Sequence, residues 1–356
     1  MAGSDGIIIA GHARLLAARK LGMTEGPVIV LDPLSEAQRR ALVLADNKLA
    51  LNAGWDAEML RIELQDLEVN GFNLDLVGFS AEELETILAG GEETTEGLTD
   101  EDAVPEVPET AVTVPGDVWV LGDHRLLCGD ATVLADVEKV LAGGLADIVF
   151  CDPPYGVNYG ATMKDKLRKK NRTIANDNLG DAFGPFLYDA CVNMLTFTKG
   201  AIYICMSSSE LHTLYRAFTE AGGHWSTFIV WAKNTFTMGR ADYQRQYEPM
   251  LYGWKEGTDH FWCGARDQGD VWFIKKPHVN DLHPTQKPVE LVQRAIQNSA
   301  RPGQTVLDAF LGSGTTVIAS EKSGRRCLGL EIDPLFCEVA LARWEAFTGE
   351  RARRDE

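Results

Sequence analysis

Asp152, Pro153, Pro154 and Tyr155 form the cluster in this chain whose residue types most directly suggest chemistry. They follow the apolar run Ile148, Val149, Phe150 in the stretch IVFCDPPYG. Prolines cannot donate to a sheet ladder, so the run reads as a buried strand that stops abruptly. An acid and an aromatic ring are then held on a stiff backbone at its carboxyl end. A second strand end carries TVLDAFLGSGTTVIA, Thr305 to Ala319. There Asp308 and Phe310 precede Gly312, Ser313 and Gly314, and a helix opens near Thr315. Glycines let a ligand approach the backbone, and a helix amino terminus offers free N–H groups. Roughly 20 residues later Glu331 ends the next strand-like run, where an acid can grip two ribose hydroxyls. The glycine turn and Glu331 together point to an adenosine-containing cofactor. The turn does not match GxGxxG, and no GxxxxGK(S/T) is present, which argues against a nicotinamide enzyme and a P-loop nucleotidase.

The elements that must position these residues lie in residues 115–349, where strand-like and helix-like runs alternate. The strand candidates are Asp117–Leu121, Ala146–Phe150, Ala201–Cys205, Thr227–Trp231, Thr305–Asp308 and Arg326–Glu331. The helix candidates are Leu134–Leu141, Phe183–Leu195, Ser209–Ala221, Val289–Ser299, Thr315–Lys322 and Pro334–Phe347. This alternation predicts an α/β fold with a mostly parallel sheet and helices on both faces. In such sheets ligands bind beyond the carboxyl ends of the strands, where Asp152 and Asp308 fall.

Three domains are expected: residues 1–89, small and mostly helical with two short strands; an extended acidic linker, 90–114; and the large α/β domain, 115–356. In the first, a strand near Ile7–Ala10 precedes a helix ending at Gly22, Val28–Leu31 reads as a second strand, and Ser35 with Gln38 forms a capping box. The linker reading rests on its acids, threonines and prolines and its lack of large apolar groups.

The net charge of −18 is concentrated at the front. Residues 1–110 hold 22 acidic and 7 basic side chains, whereas the other 246 residues hold 30 and 27. The large domain is therefore nearly neutral and free to meet a polyanion. Its stretch KDKLRKKNR supplies Lys164, Lys166, Arg168, Lys169, Lys170 and Arg172 as phosphate contacts. Seven scattered cysteines, none in a CxxC pair, fit reduced thiols in a cytoplasm without a disulfide framework or zinc site. No apolar run approaches the ~20 residues of a membrane span, and no signal peptide is evident.

From Gly116 to Gly349 the chain resembles the β group of amino DNA methyltransferases, which methylate exocyclic amines using S-adenosylmethionine. Asp152 to Tyr155 resembles their catalytic motif and Asp308 to Thr316 their cofactor loop. The segment HPTQKP, His283 to Pro288, resembles the stretch that precedes that loop, and LCGD, Leu127 to Asp130, the acidic turn that contacts adenine. The resemblance implies a Rossmann-like methyltransferase sheet and S-adenosylmethionine as cofactor, with no metal required. It implies cofactor contacts from Asp130, Asp152, Thr285, Lys287, Asp308, Phe310, Gly312, Ser313, Gly314, Thr315 and Glu331. It implies double-stranded DNA as partner, with Arg240 and Arg245 joining the basic loop in target recognition, and a homodimer. A partner nuclease is left open. Asp at the first position of the motif leans toward adenine N6; cytosine N4 is the alternative, and methylation of a protein glutamine a more distant one.

The chemistry explains the catalytic motif. An exocyclic amine is a poor nucleophile because its lone pair is delocalised into the ring. Acceptors aimed at its N–H bonds, the Asp152 carboxylate and the Pro153 carbonyl, favour the positive charge that develops on nitrogen. Pro154 stiffens the turn, and Tyr155 can stack on a base flipped out of the duplex.

Residues Gly6–Trp55 resemble part of the ParB-like domain of partition proteins, which is also fused to phage-type modification methylases. Gly11, Arg14, Asn47 and Lys48 are among the residues that carry this resemblance. A non-catalytic DNA-binding adaptor built on this segment is the competing reading from another class.

Overall fold

A computed structural model describes residues 2, 8, 11–31, 64, 67, 74, 79, 84, 95–156, 175–237, 242–264, 268–276 and 286–355. The chain divides into two compact units, Met1–Gly91 and Glu92–Glu356.

In the first unit, α1 spans His12–Lys20. It opens after Gly11 (φ 93°) and closes at Gly22 (φ 72°), both in the left-handed region that glycine tolerates. Ala2 bridges Ile8 and Val30, which lie in the two stretches read as strands. Asn47, Lys48 and the capping-box helix fall outside the described residues.

The second unit is built on a ten-stranded sheet. In chain order the strands are β1 Val118–Leu121, β2 His124–Cys128, β3 Ile148–Cys151, β4 Ile202–Cys205, β5 Gly223–Thr237, β6 Arg245–Lys255, β7 Val271–Phe273, β8 Thr305–Asp308, β9 Arg326–Glu331 and β10 Arg353–Arg354. Their spatial order is β10-β1-β2-β9-β8-β3-β4-β6-β5-β7. From β2 through β4 every neighbouring pair is parallel, and β1 and β6 attach antiparallel on either side. β3 and β4 are buried at every position, as expected for central parallel strands covered on both faces.

Strand alternation divides the core in two. Ile148 and Phe150 point to one face, with Tyr203, Trp231, Ile296 and Trp344. Val149 and Cys151 point to the other, with Ile202, Leu307, Leu187 and Phe218. The first face is covered by α5 Val289–Ser299, α6 Thr315–Lys322 and α7 Pro334–Thr348. The second is covered by α2 Leu134–Leu141, α3 Phe183–Phe197 and α4 Leu211–Glu220. α7 shows how sharply sequence marks an end: Asp333 accepts the Leu335 N–H at 2.9 Å, Pro334 opens the helix, and Gly349 (φ 80°) closes it. Among the described residues no helix is long and apolar enough to cross a membrane.

Three expectations are revised. β2 is not among the strand candidates yet pairs with both β1 and β9, and β5 runs well past Thr227–Trp231 in both directions because β6 supplies a long hairpin partner, with irregularities at Trp225/Thr227 and Ala232/Thr237. The supposed linker is irregular in backbone but belongs to the second unit from Glu92 onward. Val104 and Thr113 are buried, and one oxygen of Glu338 on α7 accepts from Val112 N at 2.9 Å, Thr113 N at 2.7 Å and Thr113 Oγ1 at 2.8 Å. An acid-rich segment without large side chains is thus held by polar contacts. Glu338→Ala is expected to destabilise the second unit by about 1–3 kcal/mol and to open residues 95–114 to a Glu-specific protease. Chemical denaturation and timed digestion check this; wild-type cleavage rates would show that α7 does not hold the segment.

Candidate active site

The topology gathers the chemistry at one sheet edge. Because β2, β9, β8, β3 and β4 are parallel, their carboxyl ends face the same way. Asp308 ends β8 and Glu331 ends β9. Asp152 follows β3, and Asp130 lies just past β2, whose Cys128 pairs with Glu331. β6 is antiparallel to β4, so it starts at this edge and places Glu248 there; β5 ends there and places Lys233 there.

Asp152, Tyr155, Glu248 and Lys287 form one hydrogen-bonded cluster. Lys287 Nζ lies 2.6 Å from Asp152 Oδ2, 2.8 Å from Glu248 Oε1 and 3.1 Å from the Tyr155 hydroxyl. Tyr155 Oη lies 2.7 Å from Asp152 Oδ1 and also within hydrogen-bonding reach of Glu248. Lys233 Nζ approaches the other Glu248 oxygen at 2.7 Å. Tyr155 N–H donates to Asp177 Oδ1 at 3.1 Å, which fixes the turn after the prolines.

The charges are unequal. Burial pushes the Asp152 carboxyl above its usual range, opposed by Lys287 and assisted by Glu248. Burial acts upward on Glu248 too, but two lysines outweigh it and hold it at about 2. Lys287 is raised, because Asp152 and Glu248 overcome the burial that would lower it. Burial raises the Tyr155 phenol well above its ordinary value, so it stays protonated as a donor. Glu248 is therefore an anion that anchors both lysines.

The glycine loop sits beside this cluster. Glu331 accepts Gly312 N–H and Asp333 N–H, both at 2.8 Å, which ties the loop to β9. Asp308 accepts from Thr316 Oγ1 at 2.5 Å and Phe310 N at 3.0 Å. Burial raises both carboxyls to about 7 against those hydrogen bonds. Gly314 has φ +80°, and a Cβ there would come within 3.0 Å of the Ala340 Cβ, so this turn requires glycine. Buried Arg343 donates to Ser313 O at 3.1 Å and Thr315 Oγ1 at 3.0 Å, bracing the loop from α7. Asp130 Oδ1 accepts from Thr132 N at 2.9 Å and Thr132 Oγ1 at 2.8 Å. Phe310 packs against Phe186 with ring centroids 5.8 Å apart.

The structure thus assembles Asp152, Tyr155, Lys287, Asp308, Phe310, Gly312, Ser313, Gly314, Thr315, Glu331 and Asp130 along one edge, with Pro153 and Pro154 in the turn. The Lys287 ammonium pairs with the carboxylates of Asp152 and Glu248. Asp308, one of the expected cofactor contacts, uses both oxygens to shape the loop. Arg245 is exposed on β6 and donates to Ser207 Oγ at 3.2 Å. Lys164, Lys166, Arg168, Lys169, Lys170, Arg172, Arg240, His283 and Thr285 lie outside the described residues. Glu248, Lys233 and Asp177 were not foreseen. The one local signal was an acid heading the buried run of β6; nothing local says that it meets Asp152, 96 positions earlier in the chain.

Lys287 neutralises two buried anions, so Lys287→Met is expected to destabilise the fold by about 3–5 kcal/mol in urea unfolding at neutral pH. Glu248 reaches a folded pKa of about 2 from an ordinary 4.5, so its share of stability is full above pH 4.5 and fades toward pH 2. The Lys287→Met penalty should therefore shrink as the carboxylates are protonated in acid. A loss under about 1 kcal/mol at neutral pH would show that the carboxylates are not desolvated.

Residues 146–342 match the DNA methylase family of the N6_N4 type. Residues 58–115 match the ParB-methyltransferase HTH domain. This second match begins past Gly6–Trp55, where the sequence resemblance lay, and runs through the segment read as a linker. The DNA adenine methyltransferase YhdJ of Escherichia coli strain K12 is 27% identical over 255 residues, covering 61% of this chain and 81% of that protein. The type II methyltransferase M2.MboI of Moraxella bovis is 27% identical over 223 residues, covering 57% and 81%. Among solved structures, the PvuII DNA methyltransferase, specific for cytosine N4, aligns with a TM-score of 0.50 at 15% identity, covering 63% of this chain and 87% of that one, a likeness of fold. With the family match spanning more than half of its length, on the same strands that hold Asp152, Asp308 and Glu331, the chain belongs to the N6_N4 family of DNA methylases.

Proposed function

We propose that this protein methylates N6 of adenine in double-stranded DNA, using S-adenosylmethionine, with the target base flipped out of the stack. The observation that carries the reading is the shared edge: the Asp152 acceptor stands beside the loop braced by Asp308 and Glu331. The residues at the loop fit the cofactor. Glu331 has one N–H on each oxygen, which leaves lone pairs for ribose hydroxyls. Gly312 has nothing closer than 4.0 Å to a would-be Cβ, so a ligand can lie against its backbone. Phe310 offers a ring face for the adenine. S-adenosylmethionine would supply the methyl group, carried on a sulfonium.

Asp152 then accepts one N–H of the target amine and the Pro153 carbonyl the other, at the nitrogen where charge develops. Lys287 opposes the burial that disfavours the Asp152 carboxylate, and Tyr155 supports the base. The choice of adenine is supported by Asp at the first motif position and by the name of the Escherichia coli relative. A homodimer and the assignment of residues 1–89 to a partial ParB-like domain complete the reading; sedimentation tests the first.

The deciding experiment is methyl transfer from labelled S-adenosylmethionine to unmethylated genomic DNA, followed by nucleoside mass analysis. N6-methyladenine is expected. N4-methylcytosine would overturn the choice of base, and cofactor binding without any DNA methylation would overturn the reading. In the same assay Asp152→Ala should lower transfer by at least ~10²-fold while cofactor affinity stays within a few-fold. Equal loss of both in a folded variant would remove Asp152 from the chemical step.

The carboxyls at about 7 predict a pH dependence. Hydroxyl and ammonium donors bind an ionised carboxylate more strongly than a neutral carboxyl, so cofactor binding is expected to release protons below pH 7. Affinity should fall from pH 8 to pH 6, by up to about tenfold per unit for each group that must ionise. The same raised values make the free protein lose stability as pH rises from the ordinary carboxylate range through about 7. Calorimetry in buffers of different ionisation enthalpy reads the released protons; Glu331→Gln should release fewer.

A further inference from the structure

The same sheet edge carries a second arrangement on its opposite face. Along β5 successive side chains alternate between faces. Trp231 shares the catalytic side with its register partners Glu248 and Trp272, and both tryptophans are 2% exposed. Ala232 faces the other way. Its register partners are Tyr247 on β6 and Phe273 on β7, so these three side chains stand in a row. Tyr247 is 47% exposed and Phe273 83% exposed. Two open aromatic rings thus flank a methyl group. With neighbouring strands ~4.8 Å apart, the two rings rise from backbones about 10 Å apart. A base stacked between them needs ring planes about 7 Å apart, twice the ~3.4 Å spacing of bases in DNA, which a small lean of each ring supplies.

The surroundings are basic although the whole chain carries −18. Arg245 lies two residues before Tyr247, and Lys275 and Lys276 follow Phe273. Lys275 shares the parity of Phe273 and is exposed, whereas Lys276 alternates to the catalytic side, near Lys233, Glu248 and Lys287. The acids nearby, Asp242 and Asp270, lie at the borders of the patch. Tyr247 directly precedes Glu248, so the row and the catalytic cluster occupy opposite faces of adjacent residues in one strand.

We propose that Tyr247, Ala232 and Phe273 form a slot that takes an unstacked nucleobase next to the target nucleotide, with Arg245 and Lys275 on the flanking phosphates. The inference rests on the methylase reading above and names where the substrate strand lies. Aromatic side chains interleaved with cations are the chemistry that holds unstacked DNA.

The test is the anisotropy of short fluorescent duplexes cut from unmethylated genomic DNA, with wild type, Tyr247→Ala, Phe273→Ala and the double variant. Each lost ring should weaken DNA affinity by about 5- to 150-fold, and Phe273→Trp should retain it. Both rings are exposed, so the unfolding midpoint and the affinity for S-adenosylmethionine should stay at wild-type values. Unchanged DNA affinity in the double variant overturns the slot. Loss of self-association with DNA affinity intact also overturns it, and would give the rings to a second copy of this chain. Anisotropy reads binding without methyl transfer. A wild type that binds DNA but transfers no methyl group therefore overturns the proposed activity, while the variant affinities still decide the slot.

Discussion

The Lys287 ammonium is the interaction on which the site depends. Asp152 and Glu248 come from strands on opposite sides of β4, and each carboxylate is removed from most of the water that would stabilise it. Brought together alone they would repel, and one would take up a proton. Lys287 lies within 3 Å of both, which makes their proximity favourable. Lys233 completes the neutralisation from the far side of Glu248. The result is a carboxyl held in a partly dry place with a cation in contact, which opposes the effect of burial on its charge.

A similar economy shapes the loop. Asp308 and Glu331 hold backbone and hydroxyl donors of the glycine turn, so the turn is formed before any ligand arrives. Their raised pKa values are the electrostatic consequence of that burial.

The acidic segment before β1 braces both sites. Arg343, lowered to about 10 by burial against the pull of Asp102 and Asp100, reaches the loop through Ser313 and the segment through Glu101 O at 2.8 Å. Asp102 accepts the first N–H of α5 from Val289 at 2.9 Å, next to Lys287 and Pro288. Residues that look like a connector thus pin the glycine loop and the start of α5, next to the lysine that pairs with Asp152. The homology match to the HTH domain, ending at residue 115, runs into this brace.

Much of the second unit is legible in its sequence. β8, β9, α2, α5 and α6 fall where periodicity, glycines and caps place them, because those signals are local. The catalytic turn and the glycine turn are legible for the same reason: prolines and glycines constrain their own backbone. Burial in residues 95–114 is not legible, since polar contacts to α7 leave no hydrophobic pattern. Neither is the role of Lys287, Glu248 or Lys233. Their partners are set by strand order and by the antiparallel insertion of β6 and β5, which is decided by sheet assembly over more than a hundred residues of chain. Sequence by itself determined the elements and the two turns that carry the chemistry; only the tertiary structure decided which charges face each other, because an ion pair depends on distance in space and sequence specifies distance only along the chain.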